Sequence, residues 1–205
     1  MYNMLLDRYP VEYKGYLIRS DYRVGIQIML VLEDSDLEDD ERVLKALELL
    51  YGYGIPDDIV LAMNGLKWFM SGGKVCCDDE GYEYLDVSDI DNEVKDTVEV
   101  DEEKAFDFEI DHDIIYASMY QQYKLEIDKE RIHWFRFLAM FKGLKDTQIN
   151  DLMYYRTVDI NKLPKSQREE MSKLQKQYRI NKLTAQRKDE LFRYYGNEWR
   201  DHIND

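Results

Sequence analysis

Cysteine, proline and histidine are scarce in this 205-residue chain, with two, three and three of each, so few groups are available for cross-links, kinks or metal sites. Cys76 and Cys77 are adjacent and cannot staple distant parts of a fold, so they read as free thiols of a reducing compartment. The histidines lie apart at positions 112, 133 and 202, and neither an HExxH nor a CxxC spacing occurs, which leaves a transition metal without ligands. Glu109, Asp111, His112 and Asp113 stand close together, but their spacing suits a polar helix entrance. Asp86-Val87-Ser88-Asp89-Ile90-Asp91 alternates oxygens without the central glycine or closing glutamate of a calcium loop. Gly72-Gly73-Lys74 lacks the earlier glycine and following Ser or Thr of a phosphate loop, and no GxSxG elbow is present. No cofactor and no catalytic arrangement is therefore expected.

Long apolar runs are missing too. The best candidate, Val24 to Leu32, is interrupted by Gly25 and Gln27 and falls well short of the roughly 18 residues that a membrane span needs. Met1 to Arg8 shows neither the basic region nor the apolar core of a signal peptide, so a soluble cytoplasmic protein is expected.

Acidic charge, in contrast, is abundant, and it is concentrated. Thirteen of the 26 residues from Asp78 to Glu103 are acidic and only Lys95 is basic, in a chain of net charge −15. Repulsion and the shortage of packable side chains make such a run hard to bury, so it reads as a solvated loop dividing two folded parts. From Lys162 to Arg200 the balance reverses, with eleven bases against five acids. The two regions are complementary in charge, within one chain or between copies. The basic stretch carries Tyr178, Phe192, Tyr194, Tyr195 and Trp199, yet nucleic-acid binding is disfavoured because the chain as a whole would repel phosphate.

Periodicity predicts a mainly α fold. Val11-Glu12-Tyr13 and Tyr16-Leu17-Ile18 flank Lys14-Gly15, which predicts a β-hairpin. Helices follow over Tyr22–Leu32 and Arg42–Tyr51, and a third opens at Ile55-Pro56-Asp57-Asp58 and stops at Ser71-Gly72-Gly73. Strict alternation over Phe106–Ile110 predicts a strand, after which Asp111 and Asp113 introduce a helix ending at Tyr123. The segment Ile132–Leu144 is apolar almost all round and needs cover on several sides, either as the centre of its own domain or with a partner completing the cover. A short helix over Thr147–Tyr155 comes last. The expected organisation is a hairpin with three helices over residues 1–73, an acidic loop over 74–104, a helical region over 105–180 and a basic extension over 181–205.

Certain residues fall in a familiar order. Phe106-Asp107-Phe108-Glu109-Ile110-Asp111 leads to Ile115-Tyr116-Ala117, then Tyr120-Gln121-Gln122-Tyr123, then His133-Trp134-Phe135 and Phe141-Lys142-Gly143-Leu144. Ile55-Pro56-Asp57-Asp58, Lys67-Trp68-Phe69, Tyr155-Arg156 and Val158-Asp159-Ile160 keep the same order, and the whole resembles the bacteriophage gene-product-fifteen family. The long acidic insert and the basic extension depart from that pattern. The resemblance implies a largely helical, non-enzymatic tail assembly chaperone that coats the tape measure protein in the host cytoplasm, often as a homo-oligomer, and is absent from the mature virion. In that role Trp68, Phe69, Trp134, Phe135, Phe137 and Phe141 would anchor a partner helix, with Met63, Met70, Met119 and Met140 adapting around it. Each is equally a core candidate. The competing reading is an acidic mimic of nucleic acid that inhibits a host DNA-binding protein.

Overall fold

A computed structural model describes residues 2–74 and 104–180. The acidic run and the basic extension, and the expectations attached to them, lie outside the described residues. Among those described, two short strands precede seven α-helices.

Strands β1 (Glu12–Tyr13) and β2 (Tyr16–Leu17) pair antiparallel around Lys14 and Gly15, both at positive φ (46° and 89°). Two left-handed residues make the turn whose twist matches that of the strands, as the Lys-Gly pair predicted. Helix α1 (Tyr22–Leu32) has the predicted limits, and Asp21 caps it by accepting the Arg23 N–H. Helix α2 (Asp39–Tyr51) starts three residues earlier than predicted. Asp39, Asp40 and Glu41 fill its first turn, where the dipole favours anions, and Asp34 and Asp36 stay in the preceding turn. Helix α3 (Ile59–Met70) starts later than predicted, because the Asp58 carboxylate takes the Val60 and Leu61 N–H groups and sets the boundary there, beyond Pro56.

The strand expected over Phe106–Ile110 is a turn. The Asp107 carboxylate accepts the N–H groups of Glu109 (2.8 Å) and Ile110 (3.1 Å), and its carbonyl accepts that of Asp111, so the side chain takes donors that a sheet partner would need. The alternation still identified the buried pair, since Phe106 and Phe108 both face the core in edge contact at 5.1 Å. Burial alone would raise the Asp107 carboxyl, but Lys104 and the two backbone donors outweigh it and hold the group below its ordinary range. Lys104 also pairs with Glu33, which fastens this turn to the end of α1.

Helix α4 (His112–Tyr123) follows, then α5 (Trp134–Lys142), α6 (Gln148–Thr157) and α7 (Lys165–Tyr178). The apolar run from Ile132 forms helix only from Trp134 on. Ile132 and His133 are used in pairing with Ser20–Tyr22, where the Tyr22 N–H donates to Ile132 O and the Trp134 N–H to Ser20 O, both at 2.8 Å. Helix α7 falls inside the helical region expected to residue 180 but was not delimited within it, because most of its residues are polar and none is fully buried, and Pro164 before its first turn is the one start signal.

The two parts that the acidic run divides in the sequence share one core. Ile28, Leu47, Leu50, Leu66 and Phe69 from the first part pack in the same cluster as Met119, Trp134, Phe135, Phe137 and Ile149 from the second. The junction is Gly25 on α1, where an added Cβ would lie 2.3 Å from the Trp134 ring. Its bare backbone lets the indole lie flat on the helix, and the apolar burial this allows outweighs an indole N–H left without an acceptor.

A second fastening ties the C-terminal helices together. Arg156 on α6 meets Asp111, at the start of α4, through two parallel bonds of 2.6 and 2.9 Å, both side chains being buried. The same guanidinium donates to Ala105 O (3.2 Å) and Tyr178 O (2.7 Å), so one side chain joins the turn before α4, α6 and the end of α7. Asp111 stands immediately before α4, the helix it was expected to introduce, but its carboxylate bonds Arg156 and the Asp107 N–H and takes no N–H of that helix.

Removing one partner leaves the other charge buried without compensation, so Asp111→Ala should cost about 3–5 kcal/mol in urea unfolding. Asp111→Leu with Arg156→Met should recover part of that loss and not all, because the Ala105 and Tyr178 carbonyls still lose their donor. Gly25→Ala ordinarily favours a helix by about 1 kcal/mol. Here it should destabilise by about 1–3 kcal/mol in the same measurement, because the methyl would overlap the indole.

Candidate interaction surface

The six aromatic residues expected to anchor a partner are placed unequally. Trp134, Phe135, Phe137 and Phe141 on α5, and Phe69 on α3, are all buried. Their rings form a continuous stack through the centre: Phe69 to Trp134 at 6.2 Å, Trp134 to Phe137 at 5.7 Å and Phe137 to Phe141 at 6.1 Å. Tyr22 and Phe106 cover the stack at 4.9 Å from Phe137 and Phe141. These five are core residues, which corrects the expectation that they face a partner. Helix α5 is the centre of the fold because its rings are met by other parts of this chain. Met63, Met70 and Met119 are buried with them and Met140 is half-buried.

Trp68 is different. It is half-buried at the edge of the stack, in contact with Tyr13 of the hairpin (5.1 Å) and edge-on to Phe135 (5.3 Å).

The apolar groups that do reach solvent belong mainly to the N-terminal half. Leu5 and Leu6 are 93% and 82% exposed, Leu17 71% and Ile59 58%, and Val11, Leu44, Tyr53 and Val60 are exposed as well. The hairpin that carries Leu17 is held to the last turn of α2 by the Arg19 N–H bond to Leu50 O (2.8 Å). Helix α2 is held to α3 by the Tyr51 hydroxyl, which donates to Ala62 O (3.3 Å) and sits where any side chain on residue 65 would be, hence Gly65. Burial pushes that hydroxyl's titration upward. Leu17, Tyr53, Ile59 and Val60 thus extend from three elements fastened to one another. Helical spacing did not mark this surface, because Leu44 and Val60 lie off the faces their helices bury and Leu17 faces outward beside Glu12, while Ile59, in line with buried Met63 and Leu66 where spacing predicts burial, is exposed at the first residue of α3.

An N-terminal arm, residues 2–10, lies over the start of α5. Tyr2 packs on Phe135 (5.2 Å) and Tyr9 stacks on His133 (4.9 Å, 18° between planes). Gly73, at φ 80°, makes room for this: a Cβ there would lie 3.0 Å from the Phe135 ring and 3.2 Å from Tyr2. The Tyr2 hydroxyl is buried and has no partner, a cost of about 1–3 kcal/mol against the arm's ring packing. The arm's own turn is local, with Leu6 and Asp7 N–H groups donating to Asn3 O and the Asn3 N–H to the Asp7 carboxylate.

His133 joins the arm to α5. Its Nδ1 accepts the Phe135 N–H (3.1 Å), which fixes the proton on Nε2, and Nε2 donates to Pro10 O (2.8 Å). Burial lowers the imidazole's affinity for a proton, and the Pro10 bond and nearby Asp21 only partly offset it. Farther along α5, Lys142 is held below its ordinary range by burial and by Lys74, and neither lysine has an acidic partner among the described residues. Among those residues no group of three or more His, Cys, Asp or Glu is placed to hold a metal, and no helix is long and apolar enough to cross a membrane.

A protonated imidazole cannot accept the Phe135 N–H. The folded pKa lies below the unfolded value of about 6.5, so the folded state binds fewer protons in that window and stability rises with pH there. The contribution is complete above about pH 6.5 and declines as the pH falls below it. His133→Asn keeps a capping oxygen and does not titrate, so its urea midpoint should fall less than that of the unsubstituted chain between about pH 7 and 5.5.

Comparison with curated proteins and comparison with solved structures each returned no match. The family model described as Bacteriophage Gp15 protein, however, matches residues 3–180, nearly all of the chain and every element described above, and the chain belongs to that phage family.

Proposed function

We propose that this protein is a tail assembly chaperone, a non-enzymatic binding protein that holds the phage tape measure protein soluble in the host cytoplasm while the tail is built. The observation that carries the reading is family membership over residues 3–180, since a chaperone role is what resemblance to this family implies. Surface chemistry supports it. A long helical client exposes apolar stripes until it is assembled, and its holder needs accessible apolar side chains on a body that stays soluble. Leu17, Tyr53, Ile59 and Val60 supply the first, and a net charge of −15 supplies the second.

The anchoring role passes from the sealed α5 rings to this outer surface, with Trp68 alone kept from the six aromatic anchors. Self-association through the acidic and basic regions belongs to the same proposal. The rival reading, an acidic mimic of nucleic acid, would rest on residues 78–103, which lie outside those described.

Co-expression tests the proposal. The tape measure protein should be recovered in the soluble fraction with this chain and lost without it; equal recovery in both cases would remove the reading's support. Leu17→Lys and Ile59→Glu together should reduce recovery, at about 1 kcal/mol or more of lost binding per anchor. Both changes suit the local fold, because Lys at 17 faces Glu12 across the hairpin and Glu at 59 lies in the first turn of α3.

A further inference from the structure

We propose that the N-terminal arm is a displaceable cover over an aromatic docking seat formed by Trp68, Phe135 and His133, and that the seat takes a partner segment bearing an aromatic ring with a carboxylate beside it. The arm shows what the seat accepts, because two tyrosine rings occupy it now, Tyr2 on Phe135 and Tyr9 on His133. Among the described residues only one hydrogen bond joins residues 2–10 to the rest of the fold outside the adjoining hairpin, that from His133 to Pro10 O. The remaining bonds of the arm are internal to it. A segment held by ring packing and one bond separates from its seat without breaking the body of the fold.

The arm also fits imperfectly. The Tyr2 hydroxyl is buried with no partner, so a ring lacking that hydroxyl would fill the same space better and displace it. Leu5 and Leu6, exposed on the arm's outer side, are left in water by the closed position. Charge selects the occupant further. Gly73 lies against Tyr2 and Gly72 against Leu138 of α5, so the chain enters Lys74 beside the Tyr2 end of the seat and within electrostatic reach of Lys142, one turn beyond Leu138, and neither lysine has an acidic partner among the described residues. A carboxylate next to the incoming ring would meet both.

The inference rests on the chaperone reading for the identity of the natural partner and not for the seat itself, so its test contains no tape measure protein. The probes are a fluorescein-labelled peptide of residues 1–10 and the same peptide carrying Asn3→Glu, titrated against the full chain by fluorescence anisotropy. Apparent affinity scales with the fraction of molecules whose seat is open. Tyr2→Ala with Tyr9→Ala opens the seat and should bind the peptides about tenfold or more tightly than the unsubstituted chain, with helical circular dichroism unchanged. Tyr2→Phe, which keeps the ring and removes the orphan hydroxyl, closes the seat and should bind more weakly. The open chain should prefer the Asn3→Glu peptide, and Lys142→Glu should abolish that preference. Equal binding by the three chains, or none by an open chain with native dichroism, overturns the cover; a missing preference overturns the carboxylate requirement. If the double variant does not fold, Tyr2→Phe decides, since binding no weaker than that of the unsubstituted chain overturns the proposal.

Discussion

A glycine without a side chain and an indole lying flat on it hold the two parts of this protein together. Gly25 sits on a helix whose neighbours Val24 and Ile28 are buried, and Trp134 occupies the space where a methyl group would stand. Once the indole is in place, α5 is fixed against α1, and the pairing of Ser20–Tyr22 with Ile132–Trp134 follows from the same approach. The aromatic stack then reaches from Phe69 through Trp134 and Phe137 to Phe141, so rings from both parts are buried by one another. Packing of this density is unforgiving, since interiors have no free volume into which a displaced ring can move. The Asp111–Arg156 pair closes the far side of the same body and anchors α7, none of whose residues is fully buried.

Much of this was legible in the sequence wherever local chemistry and tertiary burial agree. The hairpin was marked by Lys14-Gly15 and α1 by the spacing of Val24, Ile28, Val31 and Leu32. The turn at Phe106–Ile110 escaped because a period of two describes burial on alternate sides, and the Asp107 carboxylate used the backbone donors first. Asp111 introduces its helix as expected, but the partner of its carboxylate lies 45 residues away with nothing in the spacing to connect them. Helix α7 escaped because its apolar stripe is thin, Met171, Leu174 and Tyr178 at helical spacing, each only half-buried among polar neighbours.

The candidate surface was harder to read than the fold, for a related reason. An apolar ring in a sequence carries no sign of which side will be covered, and the residues richest in rings were the ones the chain used for itself. Trp134, Phe135 and Phe137 are sealed, whereas the single leucine of the hairpin's outer face, Leu17, remains available. Surface apolar groups such as Leu44 and Val60 break the helical pattern, whereas Ile59 keeps it and is exposed at the start of α3. For a member of the Gp15 family this means that most of the aromatic residues in the strings shared with the family, Phe69, Trp134, Phe135 and Phe141 among them, build its core.

The backbone pairing between Asp21 and His133 also has a consequence for synthesis. The groove on α1 is made early, but the side chain that fills it is more than a hundred positions downstream, past the acidic run. At ordinary elongation speeds the ribosome needs on the order of ten seconds to deliver it. Throughout that interval the emerging first half has an unfilled apolar slot, and its burial waits on a ring that the ribosome has yet to add.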